Sequence, residues 1–355
     1  MNPILVSTTE RSTGKTAVAL ALAQRLLDDG EAVGYMKPRG TRLQSAVGKT
    51  LDKDPMLARD LLDLDAEMHE MEPIVYSETF VQEAIRGRED PDALRERLEE
   101  SYESIAEGKD AVVVEGADDY TTGGIVNLTD PDVAELFDAS VLLLANYEDP
   151  SDVDEVLAAA DAFGDRLGGV LFNAVSDDDF DELTEDVVPF LEERGITVFG
   201  ALPSVKELSG VTVAELANSL GADVLTSEAP TDGFVERFVV GAMGSDAALR
   251  AFRRTREAAV ITGGDRSDIQ TAALEAPGVR CLLLTGGFRP TGAIIGNAED
   301  AGKPVLLVQG DTRTAIDRAE SIISSGRTRD ASTVDRMGEL LGDSADVQAM
   351  LALGK

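Results

Sequence analysis

A chain of 355 residues, 43% of them hydrophobic, is long enough to bury the cores of two ordinary domains, which argues against a disordered protein. Its 67 acidic and 32 basic residues give a formal net charge of -35, and the absence of a basic stripe argues against a nucleic-acid partner. No signal peptide and no apolar run of membrane-spanning length is evident, so we expect a cytoplasmic protein with no membrane partner.

The acidic excess also suggests the surroundings in which the protein works. A surface this acidic repels itself at ordinary ionic strength, and only molar salt, with a Debye length of about 3 Å, screens it well. We therefore expect a protein from a halophile; an acidic surface in an ordinary cell is the alternative. The single cysteine, Cys281, lies in an apolar run and is expected in the core, and the single histidine, His69, is expected on the surface.

Residues 4–16, ILVSTTERSTGKT, join an apolar run to a helical pattern through a short polar loop. A strand, a tight loop and a helix N-terminus in this order aim backbone N–H groups at one point, where the helix dipole favours an anion. The pattern predicts a site for ATP with Mg²⁺, in which Lys15 reaches the outer phosphates and the Thr16 hydroxyl ligates the metal. The residues predicted to surround the nucleotide are Thr9, Ser12, Thr13, Gly14, Lys15 and Thr16.

The loop departs from the usual phosphate-binding pattern at its first glycine, where this chain has Thr9. Threonine is stiff at χ1 and unfavourable at positive φ, so we expect a loop of different shape. The alternative is a structural strand–helix turn whose lysine is incidental.

Two further strand ends carry side chains suited to phosphate chemistry, because ligands of open α/β sheets bind at the carboxyl ends of strands. The strand predicted at 32–36 delivers Lys37 and Arg39, either to an anionic ligand or to solvent. The buried strand predicted at 111–114 ends at Glu115, placed either to ligate magnesium or to cap a helix. Asp54, just before a proline, is either a metal ligand or an acid at a helix N-terminus.

Further strands are predicted at 140–145, 169–172 and 196–202. Asn173 ends the middle one, where its amide could bind the edge of a purine. The alternation of strands with helices predicts an α/β fold with a parallel sheet and right-handed crossovers.

The segments TERSTGKT, YMKPRG, VVVEGA, LFNAV and FGALP, in this order and spacing, resemble the dethiobiotin synthetase family of P-loop proteins. The resemblance covers residues 1–205 and extends to the dethiobiotin-synthetase-like N-terminal domain of some phosphotransacetylases. It implies a P-loop-type three-layer α/β/α fold and a homodimer with substrate at the interface. It implies catalytic roles for Lys15 and Lys37. It also implies magnesium binding by Thr16, Asp54 and Glu115.

Two departures from that family bear on substrate. Residues 8–12 replace a glycine-rich loop, and Asp118 with Asp119 replaces two glycines that let the backbone approach substrate. Two carboxylates there would repel a carboxylate-bearing substrate, so dethiobiotin formation itself is not expected.

Residues 209–328 repeat the strand–helix alternation in a second, smaller α/β domain. Through VITGGDRSDIQ, LLLTGGFRP and PVLLVQGDTRTA, they resemble the DRTGG domain, a regulatory module that accompanies such P-loop domains in phosphotransacetylases. Its strand ends are rich in Gly, Asp and Thr, either as a ligand edge or simply as strand termini. The candidate ligand residues are Asp265, Arg266, Thr285 and Asp311. The tail, residues 329–355, is predicted to form one or two short helices whose apolar face docks on the second domain or on another subunit.

A phosphotransacetylase would carry a further catalytic domain after the DRTGG region, and the sequence ends before one. We therefore expect a regulatory protein that binds ATP with Mg²⁺, responds to a small-molecule effector or a partner enzyme, and belongs to acetyl-CoA or acetate metabolism. One alternative is an ATP-dependent ligase of the dethiobiotin synthetase type acting on a different substrate. The other is a structural dimer whose nucleotide site has decayed.

Overall fold

The computed structural model describes residues 2–41, 43–46, 49–205, 208, 210–325 and 330–354. The chain divides into two compact units, the first formed by Met1–Val205 with Thr328–Lys355 and the second by Lys206–Arg327. In sequence, the second unit therefore interrupts the first.

The first unit is built on a six-stranded parallel sheet. Its strands are β1 (Ile4–Thr8), β2 (Val33–Met36), β7 (Ala111–Glu115), β8 (Ser140–Ala145), β9 (Leu167–Val175) and β10 (Val198–Pro203). They lie in the order β10-β9-β8-β1-β7-β2, and every neighbouring pair is parallel. Strands β1 and β7 are buried along their whole length. Their apolar runs predicted this, because a parallel strand is covered on both faces of the sheet.

Two small ladders lie outside this sheet: β3 (Arg39–Gly40) pairs in parallel with β6 (Ile74–Val75), and β4 (Leu43–Ala46) pairs in antiparallel with β5 (Lys49–Asp52). The helices of the first unit that precede the second are α1 (Lys15–Asp28), α2 (Lys53–Leu61), α3 (Met68–Met71), α4 (Glu78–Ile85), α5 (Pro91–Ala106), α6 (Asp130–Leu136), α7 (Asp152–Phe163), α8 (Phe180–Glu182) and α9 (Val188–Glu192). Short 3₁₀ turns span Gly124–Val126 and Gly164–Arg166, and a π-helical turn, Leu183–Val187, joins α8 to α9.

Helix starts in this unit follow from local sequence. Asp90 caps α5, where Pro91 takes a position whose N–H needs no partner. Thr129 and Asp132 form a capping box that starts α6 beside the main sheet.

The second unit has a five-stranded sheet and a two-stranded ladder. Its strands are β11 (Val211–Thr212), β12 (Asp223–Val224), β13 (Phe234–Val235), β14 (Arg237–Val240), β15 (Ala258–Gly263), β16 (Val279–Thr285) and β17 (Val305–Leu307), and its helices are α10 (Val213–Leu220), α11 (Ser245–Phe252), α12 (Ser267–Leu274), α13 (Gly292–Asp300) and α14 (Thr312–Ser325). The sheet order is β12-β17-β16-β15-β14, with only β12 antiparallel to its neighbour. One face is covered by α11, α12 and α13 and the other by α10 and α14, so the sheet lies between two apolar cores.

The two single-copy residues lie where they were expected. Cys281 is fully buried in β16, and burial raises the pKa of its thiol to about 12. His69 is exposed on α3. None of the helices in the described parts of the chain combines the length and apolar character needed to cross a bilayer.

The C-terminal helices α15 (Ala331–Ser344) and α16 (Val347–Ala352) return to the first unit. Helix α15 packs along α1 and against β10, and Ala345 forms an antiparallel bridge with Gly200. The tail has the predicted apolar face, whose Met337, Leu340 and Leu341 are buried. The expectation that it docks on the second domain or on another subunit is wrong, because α15 packs on α1 and β10 within the first unit.

Candidate functional site

The loop between β1 and α1 has the conformation that a phosphate site needs. Positive φ angles occur at Ser12 (63°) and Gly14 (85°), and a Cβ on Gly14 would lie 2.5 Å from the Asn173 amide nitrogen. Among the described residues no side chain caps α1, and its first turn contains no acidic residue. The N–H groups of that turn therefore point toward the loop without a side-chain acceptor, which suits an anion.

The replacement of the first loop glycine by Thr9 is accommodated without strain. Positive φ falls at Ser12 and Gly14 and not at Thr9, whose N–H donates to the Leu144 carbonyl at 3.1 Å. The buried hydroxyls of Thr8 and Thr13 lie 2.7 Å apart and close the loop on itself. A glycine is thus required at only one of the two usual positions.

The two signature side chains of the loop reach toward the end of β7. Lys15 donates its ammonium to the Ala117 carbonyl, and burial lowers the pKa of this lysine. The Thr16 hydroxyl donates to Glu115 at 2.8 Å. The structure therefore brings Lys15, Thr16 and Glu115 together, as adjacent parallel strands β1 and β7 require.

A buried ionic cluster surrounds Lys37, which is 1% exposed. Its ammonium lies 3.0 Å from Asp52, 3.3 Å from Glu115 and in direct contact with Asp54. Burial lowers the pKa of Lys37, but the three carboxylates outweigh it and raise that pKa above its usual range. Three acids around one ammonium leave an excess of negative charge. Lys37 is thus held by carboxylates and does not extend into open space.

Two groups around this cluster were not predicted. The Tyr35 hydroxyl donates to Glu115 at 2.6 Å. Glu72 accepts from the Asp52 N–H at 2.8 Å, while its other oxygen is buried with no hydrogen-bond partner among the described residues. Burial raises the pKa of Glu72 to about 7, and the neighbouring Asp52 carboxylate adds to the shift. Tyr35 begins the YMKPRG segment but was given no role there, and Glu72 lies outside the motifs and reaches the cluster only through folding.

Arg39 also takes a structural position. It donates to the carbonyls of Thr122, at 2.8 Å, and Leu128, and it forms a buried ion pair with Asp130. Asp130 accepts further bonds from the Ser7 hydroxyl at 2.5 Å and the Ala117 N–H at 3.1 Å. This network holds the segment that follows β7 in place. Arg39 therefore has a structural role, and its guanidinium is not exposed to a ligand.

The two acids that replace glycines play different parts. Asp118 accepts a hydrogen bond from the Thr41 hydroxyl at 2.6 Å. It also lies 3.2 Å from the guanidinium of Arg11, which belongs to the loop between β1 and α1. Asp119 turns the other way and accepts from the N–H groups of Thr121 and Thr122 at 2.9 and 3.0 Å. Only Asp118 therefore adds negative charge beside the loop.

Asn173 is 6% exposed, and its amide nitrogen donates to the Thr13 carbonyl at 2.6 Å. In this arrangement the side chain braces the loop from β9. Its recognition of a purine stays a prediction.

The four candidate residues of the second unit all lie at the carboxyl edge of its sheet. Thr285 is buried and its hydroxyl lies 2.8 Å from that of Thr312, while Asp311 caps α14 through the Thr314 N–H at 3.0 Å. Arg266 pairs with Asp268 at 3.2 Å. The fourth, Asp265, folds back beside Gly263.

Gln270 was missed in this region. It is fully buried, and its amide nitrogen donates to the Gly263 and Gly264 carbonyls at 3.0 Å, which fixes the glycine pair from below. The amide oxygen of Gln270, in contrast, is buried without a hydrogen-bond partner among the described residues.

Two family descriptions match this chain: "AAA domain" over residues 2–212 and "DRTGG domain" over residues 215–322. The phosphate acetyltransferase of Synechocystis sp. is 25% identical over 342 residues, covering 90% of this chain and 47% of that protein. That of Pseudomonas putida is 27% identical over 326 residues, covering 87% of this chain and 45% of that protein. The chain thus spans about half the length of these relatives. The ATP-dependent dethiobiotin synthetase of Methanocaldococcus jannaschii is 29% identical over 118 residues, which is 32% of this chain and 51% of that protein.

Solved structures show distant likeness. The MinD cell division protein of Aquifex aeolicus matches with a TM-score of 0.35 and 15% identity over 59% of this chain and 84% of that chain. The CBS and DRTGG domains of the regulatory region of Clostridium perfringens pyrophosphatase, complexed with the activator diadenosine tetraphosphate, match with a TM-score of 0.26 and 19% identity over 40% of this chain and 69% of that chain.

Proposed function

Since this chain belongs to the AAA domain family over residues 2–212 and carries a DRTGG domain over residues 215–322, we propose that it is a nucleotide-binding regulatory protein. It binds ATP with Mg²⁺ at the loop of its first unit and an effector or partner through its second. Phosphate acetyltransferases match across both units, which supports a setting in acetyl-CoA or acetate metabolism by association.

The observation that carries the proposal is the start of α1. Its first turn has no side-chain cap and no acid, Gly14 holds the positive φ that the turn needs, and Lys15 lies at the same point. Backbone N–H groups, a helix dipole and an ammonium thus converge where a phosphate chain would lie. Among the described residues, helices α7 and α11 also begin without a side-chain cap, so the Lys15 ammonium and the positive φ of Gly14 are what distinguish the start of α1 from a structural turn.

The residues around Lys37 fit a magnesium ion held jointly by protein and phosphate. Thr16 and Glu115 are already 2.8 Å apart, Asp54 joins the same buried cluster, and the cluster has more carboxylates than ammonium groups. Within the described ranges, no three His, Cys, Asp or Glu side chains are arranged to hold a metal by themselves. Magnesium commonly takes one or two carboxylates with phosphates and waters, so Thr16, Glu115 and Asp54 would hold it once nucleotide is present. The ion would neutralise charge on the outer phosphates.

The ligase reading is less well supported. It needs Lys37 to contact substrate, whereas three carboxylates hold this ammonium in the buried cluster. Asp118 also adds a carboxylate beside the loop. Both features suit binding without group transfer to a carboxylate or carbamate.

Other parts of the proposal come from the sequence. We propose that the chain forms a homodimer and works in the cytoplasm of a halophile. A small ligand would bind the second unit at Asp265, Arg266, Thr285 and Asp311. The extreme charge supports the salt-adapted setting.

Phosphate release from ATP with Mg²⁺ in molar KCl separates the regulator from the ligase. We expect release to stay at the level of a Lys15→Ala variant when bicarbonate is added with a panel of diamines and amino acids. Release that rises tenfold or more with one of them, and depends on Lys15, would overturn the regulatory proposal. Capture of the chain from a lysate at high salt should recover an enzyme of acyl-CoA or acetate metabolism; recovery of the chain alone would contradict that setting.

A further inference from the structure

In the sheet of the second unit, the chain leaves two adjacent strands toward opposite faces. Helix α13, which follows β16, belongs to the core on one face, whereas α14, which follows β17, belongs to the core on the other. The two strands are parallel neighbours, so their carboxyl ends lie side by side. Ligands of open α/β sheets bind in the crevice that forms where connections diverge in this way. The loops that follow these strands, residues 286–291 and 308–311, are here called the crevice loops.

The crevice loops are packed against each other. The hydroxyls of Thr285 and Thr312, at the two strand ends, lie 2.8 Å apart. A Cβ on Gly287, where φ is 70°, would lie 2.5 Å from the side-chain oxygen of Gln309. Glycine is therefore required at this position, and the two loops hold each other in place.

An aromatic side chain is exposed on the first crevice loop. Phe288 is 63% exposed, more than any other large hydrophobic side chain described in the second unit. A Cβ on Gly286 would lie 3.3 Å from its ring, so the ring lies over the end of β16. The Phe288 carbonyl packs on Gly264, where a Cβ would be 1.8 Å away. The backbone thus fixes the ring in an open position, where a flat ligand could cover it.

Unpaired positive charge accompanies the ring. Arg289, the next residue, and Arg313, in the first turn of α14, are exposed, and neither forms an ion pair with another described residue. Among the described residues no side chain caps α13, and its first turn contains no acid. Asp311, the acid of the second crevice loop, is engaged at the start of α14 through the Thr314 N–H at 3.0 Å. Guanidinium groups and free helix N–H groups suit a phosphate.

The charge of the whole second unit permits an anionic ligand. Residues 206–327 contain 13 basic and 16 acidic residues, so this unit accounts for only -3 of the total -35. The first unit carries the rest. An anion is therefore repelled far less by the second unit than by the chain as a whole.

A buried acceptor beside the crevice also lacks a partner. Gln270 is fully buried, and its amide nitrogen donates to the carbonyls of Gly263 and Gly264, but its amide oxygen has no hydrogen-bond partner among the described residues. Gly264 in turn donates its N–H to the Thr285 carbonyl at 3.1 Å and packs against Phe288. Since leaving a buried acceptor unpaired is costly, the edge has unused hydrogen-bonding capacity next to the ring.

We propose that the crevice binds a nucleoside phosphate. Its base stacks on Phe288, and its phosphate is held by Arg289 and the N–H groups at the start of α13. An aromatic ring binds the face of a base, and a guanidinium beside free backbone N–H groups binds a phosphate, so these groups together fit a ligand that carries both. A simple anion would leave the ring exposed, and a purely apolar ligand would leave the guanidinium groups unused.

This inference rests on the proposed function, because it names the chemical class of the effector of the second unit and the groups that contact it. Thr285 and Asp311, two of the candidate ligand residues, lie at the ends of β16 and β17 and border the crevice. Asp265 and Arg266 follow β15, one strand away.

The test uses the full chain carrying Lys15→Ala, without Mg²⁺, so that the loop of the first unit contributes little to binding. AMP, GMP and UMP are titrated by calorimetry in molar KCl, and the tightest ligand is compared with its nucleoside and with ribose 5-phosphate. Phe288→Leu removes the aromatic face but keeps an apolar side chain, and Arg289→Gln removes the charge. Phe190→Leu, in the first unit, and Arg253→Gln, at the C-terminal end of α11, make the same changes at exposed positions outside the crevice.

We expect Phe288→Leu to weaken binding of the nucleotide and the nucleoside about tenfold and to leave ribose 5-phosphate unaffected. Arg289→Gln should weaken the nucleotide and ribose 5-phosphate about fivefold and leave the nucleoside unaffected. The two control variants should bind like the parent, and the Cys281 thiol, buried in β16, should stay protected from labelling in every variant.

Three results would overturn the proposal: no binding of any of the three nucleotides, equal affinity in the crevice variants and the controls, or ribose 5-phosphate binding as tightly as the nucleotide. Each of these is distinguishable from failure of the nucleotide site in the first unit. That site is tested separately, by Lys15-dependent binding of ATP to the native chain.

Discussion

At the scale of single residues, the first unit buries its charges in networks and not in isolated pairs. Arg39 and Asp130 are each essentially unexposed, and between them they bind two carbonyls, a hydroxyl and an N–H group. Lys37 is surrounded by three carboxylates. Burying a charge is costly unless it is hydrogen-bonded, so these networks are what allow charged groups beneath a phosphate site, although Nε of Arg39 has no hydrogen-bond partner among the described residues.

Glu72 also has a buried oxygen without a hydrogen-bond partner among the described residues, and its titration should be visible in stability. Its folded pKa of about 7, raised chiefly by burial, lies above the ordinary value of a glutamate, so the folded state binds a proton that the unfolded state has lost. The free energy of unfolding should therefore fall as pH rises from about 4.5 to 7. A Glu72→Gln variant has no such proton and should gain roughly 1–2 kcal/mol over the native chain between pH 5 and pH 8.

Urea unfolding at several pH values measures this difference. Glu193→Gln makes the same chemical change at an exposed position and is the matched control. Parallel pH dependence in the native chain and in Glu72→Gln would contradict the assignment.

Sequence reasoning found some of these residues and missed others for a clear physical reason. Lys15, Thr16 and Glu115 could be predicted to meet, because adjacent parallel strands end at one edge. Asp130 and Glu72 could not, since Asp130 at the start of α6 and Glu72 just after α3 lie far from the loop in sequence and carry no spacing pattern. The sequence singled out Arg39 as a candidate but could not show where its guanidinium lies. That depends on the buried ion pair with Asp130, which no sequence pattern reveals.

At the scale of elements, the strand and helix pattern was largely predictable. Each apolar run predicted as a parallel strand is a strand in the described structure, within three residues at its ends. The pairing of a P-loop domain with a DRTGG domain is confirmed by the two family matches. The partner of the tail could not be predicted, because an amphipathic helix shows which face is covered but not what covers it.

That packing makes a prediction about stability. Leu341 on α15 is 2% exposed, and Leu341→Ala should lower the free energy of unfolding of the first unit by about 2–4 kcal/mol. Hydrogen exchange should speed up in α1 and β10, which α15 contacts, and not in α14. Glu339→Ala, on the exposed side of the same helix, is the control. Faster exchange confined to the second unit would refute this docking.

At the scale of the whole molecule, the charge distribution separates the responses of the two units to salt. The first unit carries almost all of the negative charge and all five tyrosines, whereas the second contains the only cysteine, Cys281, in its core. Tyrosine fluorescence therefore reports unfolding of the first unit, and labelling of the Cys281 thiol reports opening of the second.

Raising KCl from 0.2 to 2 M should raise the midpoint of thermal unfolding further for the tyrosine signal than for Cys281 labelling, because screening relieves more repulsion in the more charged unit. Sorbitol, which adds no ions, is the control. Equal shifts in KCl for the two signals would contradict a charge-based origin.

The central claim is that the loop of the first unit binds a nucleoside triphosphate through Lys15. Calorimetric titration of ATP with Mg²⁺ in molar KCl, with native chain, Lys15→Ala and Lys109→Ala, tests it most directly. Lys109 follows α5 and takes no part in the site, so its variant should bind like the native chain. We expect Lys15→Ala to bind at least 100-fold more weakly, a loss of about 2.7 kcal/mol or more. Native affinity in Lys15→Ala, or no binding by the native chain, would contradict the account.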